Sequence, residues 1–132
     1  MTKILVLIFM LYMHIIDDYT IQGILADMKQ REWWIKNAHI NDDSQYRNDY
    51  LMALYEHAFC WSVSVSIPIL IYDWAYGLSI NRVQFLIAFI CMWIVHAYVD
   101  NLKANKFLIN LIQDQLIHFG QIIVYWIIFI LK

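Results

Sequence analysis

The amino-acid sequence predicts an all-α integral membrane protein: one domain, residues 1–132, folded as an up-down-up-down bundle of four transmembrane helices. Of the 132 residues, 62% are hydrophobic and only 15% are charged, which leaves too little polar surface for a soluble domain. Four apolar stretches each approach the roughly 20 residues that cross about 30 Å of hydrocarbon. Two of the three connections are short, which makes the helices they join antiparallel neighbours.

Each apolar stretch is assigned one helix. We expect helices at about residues 2–26, 50–76, 81–104 and 106–131, with tight turns at 77–80 and 103–106. Residues 61–66 alternate as a strand would, but an unpaired strand cannot lie in lipid, so a helix is preferred. Pro68 is expected to kink this second helix, with Ser64 helping to satisfy the carbonyl that the proline frees.

The remaining connection, residues 27–49, is polar and long. Its first part carries Trp33 and Trp34 among basic residues, a composition typical of the lipid headgroup boundary. We therefore expect a short interfacial helix there, followed by a loop.

Basic residues are unevenly divided between the two ends of the predicted bundle. The end with the first and third connections has six, and the other end has three. The positive-inside rule then predicts a protein of the cytoplasmic (inner) membrane whose site-bearing loops are cytoplasmic. The six are Lys29, Arg31, Lys36, Arg47, Lys103 and Lys106, and the three are Lys3, Arg82 and Lys132.

Composition excludes several other classes of protein. Seven Phe, six Trp and nine Tyr with a net charge of only −2 exclude a disordered chain. The absence of a basic excess argues against nucleic acid as a partner. Cys60 and Cys91 form no CxxC motif, so neither a disulfide framework nor a zinc ribbon is expected.

Seven ionisable residues fall inside the predicted helices in a regular pattern. In three of the helices a His and an Asp are four residues apart, so both project from one helical face. Ionisable groups in lipid are costly, and they generally mark functional sites. The seven are His14 and Asp18, His57, His96 and Asp100, and Asp114 and His118.

These seven residues are predicted to lie at matching depth, roughly 5–18 Å from the long-loop boundary at about 1.5 Å per residue. Four imidazoles and three carboxylates in one buried place fit one or two divalent metal ions. A set of nitrogen and oxygen ligands without thiolate favours zinc, manganese or iron. The competing interpretation for this cluster is a network of hydrogen bonds and ion pairs without a metal.

Three other polar residues extend the same helical faces. Gln22 is four residues after Asp18, and Lys103 is three residues after Asp100. Gln115 adjoins the aspartate of the fourth helix. We expect them to hold an anionic substrate group or to orient metal ligands, with snorkelling to the membrane surface an equal alternative for Lys103.

Three further ionisable residues are predicted to lie away from the ligand positions. Asp17 and Glu56 adjoin site residues but point about 100° away from them along the helix. They are expected behind the ligands or at the boundary of the site. His39 lies in the polar connection, where a surface position is expected.

The motifs HIIDDYTIQ, HAYVDNLK and DQLIH, with a single His in the second helix, resemble an uncharacterised family of small integral membrane proteins of bacteria and their phages. That family is described only as a domain of unknown function, so the resemblance implies a site and no reaction. The chain departs from the family pattern after Gln22, where Gly23, Ile24 and Leu25 replace an expected Trp. The residues that match are His14, Asp18, Gln22, His57, His96, Asp100, Lys103, Asp114, Gln115 and His118.

Three functions are compatible with this pattern. The first is a metal-dependent hydrolase of a lipid or lipid-linked phosphate or ester, with Asp18 or Asp114 as the general base. The second is a non-enzymatic accessory protein that binds a host membrane protein. The third is a metal or proton path, which is disfavoured because the ionisable groups stop at one depth.

Overall fold

The structure is a computed structural model that describes residues 2–38 and 45–131. Over these ranges it is all-helical, and four helices are long and apolar enough to cross a membrane, which confirms that part of the predicted fold class. His39 lies outside the described residues. The helices are α1 (Lys3–Ile16, continued by a π-helical segment, Asp17–Ile21), α2 (Leu25–Met28), α3 (Arg31–Asn37), α4 (Asp49–Tyr76), α5 (Arg82–Ala104) and α6 (Leu111–Trp126, continued by a π-helical segment, Ile127–Leu131).

The first membrane-length helix ends at Ile21, earlier than the predicted residue 26. In its last turn the backbone N–H of Gln22 donates to the carbonyl of Asp17 at 3.0 Å, the i→i+5 bond of a π-helix. Gly23 then adopts a φ of +50°, which glycine tolerates and which stops the helix. The chain restarts as the separate short helix α2, so Lys29 caps the end of this short helix and lies beyond a break in the first long one.

The turn predicted at 77–80 is confirmed, whereas α6 begins later than predicted. Gly77 ends α4 with a φ of +63°, and the side chain of Asn81 caps α5. At the other corner, Asn110 and Gln113 form a reciprocal capping box, which fixes the start of α6 at Leu111. The connection therefore extends to residue 110 and is longer than the turn expected at 103–106.

The polar connection contains the predicted short helix, which is α3. Trp34 holds it against the preceding segment, because its indole N–H donates to the carbonyl of Met28 at 2.6 Å. The expectation for Ser64 is wrong: its single O–H donates to Asp17 Oδ1 at 2.9 Å, so it is not available for the carbonyl that Pro68 frees.

The four long helices form a closed ring of contacts. α4 packs against α1 and α5, and α6 packs against α5 and α1. One part of the interior is apolar and is built around the fully buried Trp61, Ile69 and Ile122. The polar residues fill the other part, near the end of α1 and the beginning of α4, where α2 and α3 also pack on α4. The fold thus encloses the polar residues between an apolar core and the segment formed by α2 and α3.

Candidate metal site

The structure brings all seven predicted ionisable residues into one buried cluster between α1, α4, α5 and α6, with each side chain contributed by the helix that the sequence predicts. None of the seven is more than 9% exposed. Two groups of three have ligand atoms that all lie within 4.8 Å of one another. One group is Asp18, His57 and His96, and the other is His96, Asp100 and His118.

His57 is at the centre of the first group. Its Nε2 lies 3.4 Å from Asp18 Oδ1, 3.4 Å from Asp100 Oδ2 and 3.3 Å from His96 Nε2. Ligands that bind one tetrahedral Zn²⁺ at 2.0–2.1 Å lie about 3.3–3.4 Å from one another. Asp18 Oδ1 and His96 Nε2 therefore lie from His57 Nε2 at the spacing of ligands on a single ion, and Asp100 belongs with the second group.

His118 has its two ring nitrogens in different environments. Nδ1 lies 3.0 Å from Gln121 Oε1, and the Gln121 amide is oriented because its Nε2 donates to the carbonyl of Met92 at 3.4 Å. Nδ1 must therefore be the donor. The other nitrogen, Nε2, then faces Asp100 Oδ1 at 3.2 Å and Asp114 Oδ1 at 3.3 Å. Without a proton on His118 Nε2, this nitrogen and the two Oδ1 atoms would be three acceptors in contact. They can meet in this way only if Nε2 also carries a proton or if a cation lies among them.

His14 contacts the cluster but both of its nitrogens are already hydrogen-bonded. Its Nδ1 accepts from the indole N–H of Trp61 at 2.7 Å, and its Nε2 lies 3.0 Å from Gln115 Oε1. Because the amide oxygen is an acceptor, His14 is the donor in the second bond. His14 is therefore placed to position Gln115, and it remains only a predicted ligand.

Gln115 connects two carboxylates of the cluster. Its Nε2 lies 3.3 Å from Asp18 Oδ2 and 3.2 Å from Asp114 Oδ2. These contacts leave the Oδ1 atoms of both aspartates directed toward imidazole Nε2 atoms, at 3.4 Å from His57 and 3.3 Å from His118. The glutamine thus bridges the two carboxylates and holds their Oδ2 atoms.

Two lysines contact the cluster, and only one of them was predicted. Lys103 Nζ donates to Asp114 Oδ2 at 2.8 Å, so it belongs to the site and does not snorkel away from it. Lys29 Nζ donates to Asp100 Oδ2 at 2.6 Å and to Gln22 Oε1 at 3.2 Å. Gln22 also donates through its side-chain amide to the carbonyl of Asp18. Nothing in the sequence indicated that Lys29 contacts the cluster, because it lies among other basic residues of the polar connection.

Asp17 and Trp61 also contact the cluster, and sequence reasoning missed only the tryptophan. Asp17 is 1% exposed, and its Oδ2 lies 3.9 Å from His57 Nδ1, on the side of the ring away from the ligand atoms. Trp61 is fully buried and stacks on His96, with ring centroids 4.0 Å apart and planes inclined by 18°. The i,i+4 spacing of Trp61 and His57 was the signal that could have found the tryptophan. Glu56 is exposed, at the boundary as predicted.

Several buried polar atoms of the cluster have no hydrogen-bond partner among the described residues. Burying such atoms unpaired costs about 1–3 kcal/mol each, and a bound ion is one of the few ways to recover that cost. The atoms are Asp17 Oδ2, Asp18 Oδ1, His57 Nδ1, His96 Nδ1 and Asp114 Oδ1. Two of them, Asp18 Oδ1 and Asp114 Oδ1, are the oxygens that face imidazole nitrogens.

The charge of the cluster also favours a divalent cation. In the contacts found among residues 2–38 and 45–131, four buried carboxylates, those of Asp17, Asp18, Asp100 and Asp114, meet two ammonium groups, those of Lys29 and Lys103. With neutral imidazoles, two negative charges are left over in a region of low dielectric, which is strongly unfavourable. One divalent ion balances them. Protonation of two imidazoles would balance them as well.

The chain matches no protein family, no curated protein and no solved structure. The resemblance to small membrane proteins of bacteria and phages therefore stays a prediction, and function has to be argued from the geometry of the cluster.

Proposed function

We propose that this protein is an integral membrane metalloprotein that holds at least one divalent ion in the His/Asp cluster and hydrolyses an ester bond of a lipid or lipid-linked phosphate. The observation that carries the proposal is the presence of two buried groups of three ligand atoms, Asp18/His57/His96 and His96/Asp100/His118, with all the atoms of a group within 4.8 Å of one another. These carboxylates and imidazoles can act as lone-pair donors, and a metal ion is a partner that the three members of one group can share.

Membrane insertion is supported by the outer surface of the long helices. Large aliphatic side chains are 47–71% exposed on all four, among them Ile8, Leu70, Leu86 and Ile112. An apolar surface distributed around the whole bundle is unfavourable in water and suits lipid tails. We propose the up-down-up-down arrangement, with the long-loop end facing the cytoplasm.

Labelling of single cysteines tests this topology. In a background with Cys60 and Cys91 replaced by serine, a membrane-impermeant maleimide should label Thr2→Cys and Leu131→Cys from the same, external side. The reason is that the first and last helices meet at these ends, where Lys3 Nζ donates to the carbonyl of Leu131 at 3.1 Å. Lys36→Cys should react only from the cytoplasmic side. Labelling of positions 2 and 131 from opposite sides would contradict the arrangement.

Asp18 and Asp114 are the two candidates for the general base, and their contacts indicate which of them is the base and which is a metal ligand. Asp18 belongs to the group with His57 and His96, so we propose it as a ligand. Asp114 belongs to neither group of three, and its Oδ2 is held by Lys103 and Gln115. Its Oδ1 lies 3.3 Å from His118 Nε2 and has no hydrogen-bond partner among the described residues. A fixed carboxylate with one unpartnered oxygen is suited to accept a proton, so Asp114 is the proposed general base.

The proposed reaction needs only water as co-substrate. A divalent ion at the cluster supplies polarisation of the ester group and activation of water. Water attacks the phosphorus or carbonyl carbon while Asp114 takes a proton from it. The bond from that atom to the ester oxygen breaks, and the leaving oxygen takes up the proton. The products are an alcohol and a phosphate or carboxylic acid.

Metal analysis of protein purified in detergent without chelator is the direct test. We expect at least one equivalent of zinc, manganese or iron per chain. Removing it with a chelator should lower the thermal unfolding midpoint, because a ligand that binds only the folded state stabilises it by mass action. The proposal is contradicted if the folded protein carries no stoichiometric metal and its unfolding does not respond to chelator. The cluster would then be a hydrogen-bond network without a metal.

A further inference from the structure

Two ammonium groups flank the candidate metal site, each bonded to a carboxylate of the cluster. Lys29 Nζ donates to Asp100 Oδ2 at 2.6 Å, and Lys103 Nζ donates to Asp114 Oδ2 at 2.8 Å. The two carboxylates meet at one imidazole, because Asp100 Oδ1 and Asp114 Oδ1 lie 3.2 and 3.3 Å from His118 Nε2. A short chain of contacts therefore joins the two lysines across a single histidine.

The backbone brings both lysines to the same end of the bundle. Lys103 is one helical turn beyond Asp100 on the same face of α5. Two residues further on, Asn105 donates through Nδ2 to the carbonyl of Lys29 at 3.0 Å and accepts from the N–H of Arg31 at 2.8 Å. The end of α5 thus holds the α2–α3 connection in place beside Lys103.

The lysines lie between the buried ligands and the outside. The side chain of Lys103 is 35% exposed and that of Lys29 is 12% exposed, whereas the carboxylates they contact are 1% and 4% exposed. Both ammonium-bearing side chains are thus more accessible from outside the bundle than the carboxylates to which they are bonded.

The two lysines also have N–H donors to spare. An ammonium has three. In the contacts found among the described residues, Lys29 uses two and Lys103 uses one, so three remain. A divalent ion bound by Asp100 would weaken the attraction of that carboxylate for the ammonium group of Lys29. Three donors with two positive charges match the oxygens of a phosphate group, whereas a neutral carboxylic ester has no charge for them to bind.

We propose that Lys29 and Lys103 form a clamp for a phosphate group, so that the ester bond hydrolysed is phosphoric and not carboxylic. This inference rests on the proposed function, because it concerns the substrate of the same metal site. The phosphate can belong to a lipid headgroup or be free in solution, and the two sources share this chemistry.

Binding of phosphate to the intact, metal-containing protein tests the clamp. Radiolabelled inorganic phosphate and radiolabelled dioctanoyl phosphatidic acid would be measured separately against detergent-purified wild type, Lys29→Gln and Lys103→Gln. We expect each substitution to weaken binding about 10-fold, as for loss of a charge-assisted hydrogen bond, with metal content unchanged. Lys29→Arg and Lys103→Arg keep the charge and should retain most of the binding. Lys36→Gln is the matched control, since Lys36 is 69% exposed and pairs with Glu32 in α3.

The outcomes separate the clamp from the metal site. Tighter binding of phosphatidic acid than of inorganic phosphate assigns the clamp to a lipid headgroup, and the reverse assigns it to free phosphate. Binding of neither probe, or binding by both glutamine variants within twofold of wild type, overturns the clamp. Loss of metal together with phosphate in the glutamine variants also overturns it, because the lysines would then only stabilise the carboxylates. Wild-type protein without metal overturns the proposed function instead.

Discussion

Replacing His96 with glutamine is expected to abolish stoichiometric metal binding. His96 Nε2 lies 3.3 Å from His57 Nε2 and 3.8 Å from Asp100 Oδ1, and His96 is the one residue common to both groups of potential ligands. Even residues that only orient a ligand change metal affinity by about 10–100-fold when mutated, so loss of this imidazole should cost at least 100-fold. The measurement is elemental analysis of the purified variant.

Protein stability provides the second measurement on the same variant. His96 is fully buried and stacks on Trp61, and such aromatic pairs contribute about 0.5–1.5 kcal/mol. The variant should therefore fold, with an unfolding midpoint that no longer responds to chelator. His39→Gln is the matched control, because it makes the same chemical change in the polar connection. Equal metal content in His96→Gln and wild type would contradict the proposed ligand set.

The composition of the site was largely predictable because helical periodicity is a local property. The i,i+4 spacing in His14/Asp18 and in His96/Asp100 places each pair on one face without any knowledge of the neighbouring helices. Burial in lipid then forces such faces inward, since unpaired ionisable groups cannot face hydrocarbon. The sequence therefore predicted which side chains would meet, and the structure places them together.

The π-helical segment that carries Asp17 and Asp18 was not predictable from the sequence, although the separation of the two aspartates was. An ideal α-helix separates Asp17 and Asp18 by about 100°, which directs one of them away from the ligand positions. In the structure both are buried in the π-helical segment, with Asp17 behind His57 near Nδ1 and Asp18 facing Nε2 of the same ring. π-helical turns are rare and have no dependable sequence signal, although they are frequent at functional sites.

Lys29 was missed for a different reason. Its contact with Asp100 joins residues 71 positions apart and depends on where the chain turns after α1. That turn is set by the positive φ of Gly23, and the later path is held by Asn105. A basic residue in a segment that also contains Trp33 and Trp34 is typical of a headgroup contact, so composition favoured the surface. Only the tertiary structure shows that the ammonium group of Lys29 contacts a buried carboxylate.

Replacing Asp114 with asparagine is expected to abolish turnover while the metal stays bound, which is the pattern that separates a base from a ligand. The substitution keeps the shape of the side chain and an oxygen for Lys103, but the amide cannot accept a proton at neutral pH. General-base catalysis contributes about 10²–10⁴-fold, so phosphate release from phosphatidic acid should fall by that factor.

Asp18→Asn should instead lose metal and turnover together, because Asp18 Oδ1 faces His57 Nε2 at 3.4 Å within the first ligand group. Asp27→Asn, an exposed aspartate in α2, is the matched control and should leave both unchanged. Loss of metal in Asp114→Asn equal to that in Asp18→Asn would make Asp114 a ligand, and retention of more than a tenth of wild-type turnover would exclude it as the base.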